Sequence, residues 1–223
     1  MKPSTSQIRS LCRRDPVLAR AIRVVGEFPG FPTADHRRTP TFQYLARAIV
    51  FQQLAYKAAD TIWNRVVTQV AECNGGNRRV NPAGLDAVGD QQLRGAGLSR
   101  AKLAAVRDLS ARCQDRRLKL RGLSRQSNEA IVERLSAVRG IGPWTAQMFL
   151  IFKLGRIDVL PTTDLGVQEG LRMLEGRSER PTPKQLAVRG ACWSPLASVA
   201  AWVLWRVADG DGPGECAEGI SKW

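Results

Sequence analysis

No stretch of the sequence approaches the ~18 consecutive apolar residues of a membrane span, the apolar runs being short ones such as Met148 to Phe152. The N-terminus, Met1 to Arg14, is polar and lacks the apolar core of a signal peptide. No membrane is therefore expected as a partner, and the expected location is the cytoplasm, in association with the nucleoid, or the nucleus. Five cysteines, Cys12, Cys73, Cys113, Cys192 and Cys216, are odd in number and scattered, with no C-x-x-C pair. That pattern excludes a readable disulfide framework and a zinc or iron–sulfur site, so no metal is expected and the thiols read as free, mostly buried filler. The single histidine, His36, stands in a polar stretch and reads as a surface residue. Apolar and polar residues nowhere alternate convincingly, and no repeat recurs at a fixed period, so neither a sheet nor a repeat array is expected.

What the chain does have is positive charge and helical periodicity. Its 223 residues carry 34 Lys and Arg against 20 Asp and Glu, a net charge of +14, on an ordinary globular background of 43% hydrophobic residues. A folded chain this basic points to a polyanionic partner, because Lys and Arg release counterions from a phosphate backbone. Phe42, Leu45, Ile49 and Leu54 mark one helical face, and Ala58, Ile62, Val66 and Val70 a second, adjoining one. Asn81-Pro82 opens a short helix by the rule of cap followed by proline. Ser99 caps a helix to Cys113, and Ser127 caps another running through Leu135. Further helices are expected from Trp144 to Leu154, from about Asp164 to Leu174, after Pro181-Thr182-Pro183, and from Ser194-Pro195 to about Ala208, with an extended segment from Ile157 to Pro161. The Gly- and acid-rich tail from Asp209 to Gly219 is expected to fray. The fold class is all-α, with about ten helices.

The sharpest segment runs from Glu133 to Leu171, and within it Leu135 to Ala146 reads as helix, tight Gly140-Ile141-Gly142-Pro143 hairpin, helix. Glycines spaced by one permit positive φ and let a phosphate approach the N–H groups of the hairpin, to which the next helix adds the positive end of its dipole. As a bare pattern the same residues are more often a simple helix turn.

Set beside the rest of the chain, Arg139 to Ala146 resembles the helix-hairpin-helix of the base-excision DNA glycosylases, in which the hairpin is followed by a Gly/Pro-rich loop and an aspartate. Here the loop is Asp158 to Thr163 and the aspartate Asp164, 22 positions beyond Gly142. The segments Gly140-Ile-Gly-Pro-Trp-Thr-Ala146, Leu160-Pro-Thr-Thr-Asp-Leu-Gly166, Gly97-Leu-Ser-Arg-Ala-Lys102 and Trp193-Ser-Pro…Trp202-Val-Leu-Trp205 are similar to the DNA-3-methyladenine glycosylase II branch, over roughly Phe42 to Val207. The branch often carries an aromatic and an arginine after Trp-x-Pro, where this chain has Leu196 and Ala197.

The resemblance implies two helical subdomains with a DNA-binding cleft between them: residues 1–50 with 158–223, carrying the catalytic aspartate, and residues 51–157, carrying the hairpin. It implies a monofunctional enzyme, because bifunctional relatives place a Schiff-base lysine where this chain has Trp144, and it implies no iron–sulfur cluster. Asp164 is the expected catalytic carboxylate, against its plainer role as a helix N-cap, with Asp158 in reserve. Trp144 and Trp205 are the expected π faces for a cationic alkylated base, whereas Trp202, Trp193, Tyr44, Trp63 and Phe152 read as core. Gly140, Ile141, Gly142 and Thr145 are the expected phosphate contacts. Gln52 and Gln53 are candidates to bond the bases opened by flipping, and Leu98 or Ser99 to fill the gap; a helix staple and cap serve equally for the last two. The implied partner is double-stranded DNA containing alkylated bases, met by a monomer with no cofactor beyond, at most, a monovalent cation at the hairpin. The rival readings are a non-enzymatic helix-hairpin-helix DNA-binding module, which should have lost the aspartate, and a glycosylase for uracil, mismatched or oxidised bases.

Overall fold

The computed structural model describes residues 2–210, and within them thirteen α-helices and no strand. Cys216 and the tail beyond Gly210 lie outside the described residues. Among the described residues the chain forms two compact units, one of residues 34–149 and one that gathers residues 2–33 and 150–210. The boundaries thus fall at 33/34 and 149/150, where the sequence suggested 50/51 and 157/158.

In the discontinuous unit, α1 (Thr5–Arg14) and α2 (Pro16–Val25) pack with α11 (Leu165–Glu175), α12 (Pro183–Gly190) and α13 (Ala197–Ala208). Local chemistry sets these boundaries. Ser4 and Gln7 form a capping box, and the Asp15 carboxylate caps α2 through the Val17 and Leu18 N–H groups just before Pro16. Burial pushes the Asp15 carboxyl up, but the Leu18 N–H, Trp193 and Arg189 outweigh it and hold it below the usual range. Its Oδ2 accepts from Trp193 Nε1 at 2.7 Å and pairs with Arg189 at 2.7 Å, fastening the first two helices to the end of α12. The tightest crossing is that of α11 on α13: a Cβ built on Gly170 would stand 2.0 Å from Leu204 O. A glycine is therefore required where the two backbones meet.

The contiguous unit holds α3 (Ala34–Arg38), α4 (Thr41–Phe51), α5 (Tyr56–Cys73), α6 (Pro82–Ala87), α7 (Asp90–Gly95), α8 (Arg100–Gln114), α9 (Asn128–Ser136) and α10 (Pro143–Met148). Asn81, Ser99 and Ser127 cap α6, α8 and α9 with their side chains. The helix expected from Trp144 to Leu154 is α10 followed by a wider π turn, Phe149–Lys153. His36 is buried, not at the surface, because α3 seats its ring edge-on against Tyr44 at 5.5 Å. None of the four described cysteines is buried, against the expectation of core filler: Cys73 is exposed and the other three are half-buried.

Candidate active site and nucleic-acid interface

In the contiguous unit the hairpin between α9 and α10 uses its two glycines differently. Gly140 has φ +78°, and a Cβ there would meet Ala105 of α8 at 2.9 Å, so it serves both a left-handed turn and a close approach. Gly142, with φ −89°, is instead the extended N-cap of α10, and a Cβ on it would meet nothing within 4 Å. The space beside it is therefore open. Ile141 is buried and its N–H donates to Val138 O at 3.0 Å, so its role is to anchor the hairpin. Thr145 is buried as well.

The adjacent glutamines part company. Gln52 Nε2 donates to Gly140 O at 2.9 Å and to Thr145 Oγ1 at 3.2 Å, latching the end of α4 onto the hairpin. Gln53 is exposed and left-handed at φ +56°, one of two non-glycine residues in that region among the described residues. The turn is held from below by Lys102, whose Nζ donates to Val50 O at 2.7 Å and Gln52 O at 2.8 Å. Burial lowers the Lys102 pKa. Sequence reasoning missed this residue, although it stands in the Gly97-Leu-Ser-Arg-Ala-Lys102 segment.

Leu98 is 1% exposed, so it has no free face with which to enter a duplex; it is core. Ser99 is exposed and caps α8, its Oγ accepting from Lys102 N at 3.2 Å. The staple and the cap are therefore what these two residues provide, and of the pair Ser99 alone faces outward. Trp144 is half-buried at the head of α10.

The carboxylate lies in the other unit. Asp164 is 7% exposed and caps α11. Its Oδ1 accepts from Val167 N at 2.9 Å and from Trp205 Nε1 at 2.8 Å, which fixes the plane of the carboxylate. Gly166 makes room for this, since a Cβ there would meet Trp205 Cδ1 at 2.9 Å. Trp205, expected as a π face for a base, is 6% exposed and stacks on Phe152 at 5.7 Å. It is the carboxylate's positioning partner, and the ring is committed to the core. Behind it Phe152, Phe31, Phe28 and Trp202 follow ring on ring, with centroids 4.6 to 5.5 Å apart. Tyr44, Trp63 and Trp193 are buried too, in keeping with the core role read for them. Asp158 is committed elsewhere: its Oδ2 accepts from Ser194 Oγ at 2.7 Å and its Oδ1 from Ala197 N at 3.2 Å, tying the loop to the start of α13. Leu196 is fully buried there, so the departure from the branch pattern adds to the core.

One prediction isolates the hairpin. Gly142→Val adds a side chain into open space at an extended residue, so melting should barely move. An anion should nevertheless be held off the N–H groups, and loss of a charge-assisted bond of about 1.5–3 kcal/mol should weaken duplex binding roughly tenfold or more, equally for any sequence. A binding titration beside a melting curve checks it; unchanged affinity would remove the hairpin from the interface.

Residues 46–195 match the model of the HhH-GPD superfamily of base excision DNA repair proteins. The chain is 29% identical over 190 residues to DNA-3-methyladenine glycosylase 1 of Schizosaccharomyces pombe, covering 85% of this chain and 81% of that protein. Among solved structures, the DNA-3-methyladenine glycosidase of Bacillus halodurans superposes with a TM-score of 0.81 at 34% identity, covering 93% of this chain and 91% of that one. The Schizosaccharomyces pombe 3-methyladenine DNA glycosylase, solved in complex with abasic DNA, gives 0.77 at 29% identity, covering 91% and 96%.

Proposed function

The chain belongs to the HhH-GPD superfamily of base excision DNA repair proteins, and from that premise we propose that it is a monofunctional DNA glycosylase that excises alkylated bases of the 3-methyladenine type from duplex DNA. The observation that carries this reading is Asp164, present at the head of α11 with its carboxylate oriented by two N–H donors. A base inside a duplex is out of reach, so the nucleotide is flipped out, and the exposed Gln53 turn and Ser99 are the groups left to meet the opened stack. N3- and N7-alkylated purines carry positive charge and a weakened glycosidic bond. Such a base leaves with little protonation help, and the aromatic face it would seek falls to Trp144. What the reaction needs most is stabilisation of the oxocarbenium-like sugar. Asp164 supplies the negative charge and orients, or deprotonates, the water that attacks C1′ as the base departs.

The reading as monofunctional is supported by Trp144, which stands in the hairpin segment where bifunctional relatives would hold an amine, since an indole cannot form a Schiff base. Incubation with alkylated duplex should therefore release free modified purine, identified by mass spectrometry, and leave an intact abasic site. Borohydride should trap no covalent complex. Absence of any released base would favour a binding module, release of uracil or an oxidised base would favour the other glycosylase classes, and strand cleavage without alkali would overturn the monofunctional reading. The +14 charge suits a monomer that works on cytoplasmic, nucleoid-associated or nuclear DNA.

A further inference from the structure

The positive charge is unevenly placed. Residues 34–149 carry 19 Lys and Arg against nine Asp and Glu, and so hold ten of the chain's fourteen net charges. Half of that excess stands in one loop: between α8 and α9, Arg116, Arg117, Lys119, Arg121 and Arg125 occur within ten residues that contain no acid. All five are exposed. Arg117 pairs with Asp115 at 2.6 Å, whereas Arg116, Lys119, Arg121 and Arg125 make no ion pair among the described residues.

This loop is built. Leu118 and Leu123 are buried within it, Leu118 N donates to Arg112 O at 2.8 Å, and Gly122 takes the left-handed conformation. Arg116, at φ +64°, is the second of the two non-glycine residues in that region among the described residues; the first is Gln53, on the turn beside the hairpin. A left-handed non-glycine residue carries backbone strain, and such strain tends to persist where a surface has work to do.

The loop is also tied to the hairpin. Asp108 Oδ2 accepts from Arg139 N, the residue before Gly140, at 2.8 Å and from Arg112 Nε at 2.8 Å. Burial raises the Asp108 carboxyl, but the Arg139 N–H, Arg112 and the nearby charge of Arg117 together hold it below its usual range. The hairpin and the arginines at the end of α8 thus share one carboxylate, and the loop runs on from there straight into α9, the first helix of the hairpin motif.

We infer that the loop from Arg116 to Arg125 is a second phosphate-contacting surface, which grips the duplex backbone beyond the stretch held by the hairpin. Exposed cations without internal partners, on an anchored loop beside a phosphate-binding turn, match a rod of regularly spaced negative charge. The contact is sequence-independent: it lengthens the footprint and supplies affinity for undamaged DNA, through which a repair enzyme must search.

This inference rests on the glycosylase reading, and its test keeps the two apart. The triple variant Arg116→Gln, Lys119→Gln, Arg121→Gln is compared with wild type by titration of undamaged duplex across a salt series. Each phosphate contact removed should lower the slope of log K against log salt by about 0.9, so the triple variant should lose roughly two to three. A control variant, Arg20→Gln, Arg180→Gln, Lys184→Gln, removes the same charge from the other unit and should leave the slope near that of wild type. An unchanged slope in the loop variant, or an equal loss in the control, would show the loop to be a solvated basic face. Should the triple variant melt lower than wild type, the three single substitutions carry the test, each expected to remove about 0.9. A wild-type protein with no steep slope and no base release would instead overturn the proposed function itself.

Discussion

Asp164→Asn is expected to cut base excision by at least about a hundredfold, the usual contribution of one positioned electrostatic or acid–base group, while the protein stays folded. The two roles of the residue can be separated because they use different properties of the side chain. Its cap bond to Val167 N and its bond from Trp205 Nε1 both fall on Oδ1. An asparagine retains one such oxygen, and Asn and Asp rank about equally as N-caps. The substitution removes the negative charge that the proposed mechanism sets against the oxocarbenium-like sugar. Affinity for a duplex holding an abasic analogue should stay near wild type or rise, because carboxylate–phosphate repulsion is relieved. Single-turnover excision, a titration on the abasic duplex and a melting curve decide it together. If the variant melts much lower and loses activity only in proportion to its unfolded fraction, Asp164 is a cap and no more. Asp158, whose two oxygens accept from Ser194 and Ala197, would then be the next carboxylate to test.

Gly170→Ala should cause a large loss of stability for the addition of a single methyl group. The new Cβ would sit 2.0 Å from Leu204 O and 2.6 Å from its carbonyl carbon, and both are backbone atoms that no rotamer change can move aside. Helix α11 would have to back away from α13 along the tightest seam of its unit. Overpacking of a core typically costs 1–3 kcal/mol, occasionally more, and a backbone clash this short belongs at or above the upper end, about 3 kcal/mol. For a chain of this size that lowers Tm by roughly ten degrees. Gly176→Ala is the matched control. Its Cβ meets nothing within 4 Å, and only its φ of +64° is unfavourable, so about 1–2 kcal/mol is expected. Similar melting of the two variants would mean that the seam yields more easily than its geometry implies.

Most helix boundaries were legible in the sequence because each is written in the few residues that form it. Asn81, Ser99, Ser127 and Asp164 are caps in the structure as they read in the chain. The same grammar announces α1 and α2, through Ser4 with Gln7 and Asp15 before Pro16, and those two helices went unread although nothing hid them. Other features depend on partners far away in the chain. That His36 lies inside is decided by Tyr44, and that Trp205 orients a carboxylate instead of receiving a base is decided by Asp164, 41 positions away. The difference between Gln52 and Gln53 is subtler, since both share one composition and one neighbourhood. A single left-handed residue turns one side chain onto the hairpin and leaves the other exposed, and residue identity alone does not foretell that turn.

The unit that carries Asp164 is made from both ends of the chain, with α2 packed on α13 and Asp15 bonded to Trp193. During synthesis the ribosome delivers these pieces far apart in time. The contiguous unit, residues 34–149, emerges as one uninterrupted piece, and domains fold as units as they leave the tunnel. Helices α1 and α2 must meanwhile wait with their apolar faces uncovered until α13 appears, some 170 residues after α2 ends. The hairpin-bearing unit is therefore able to fold before α13 has emerged to close the unit that carries Asp164.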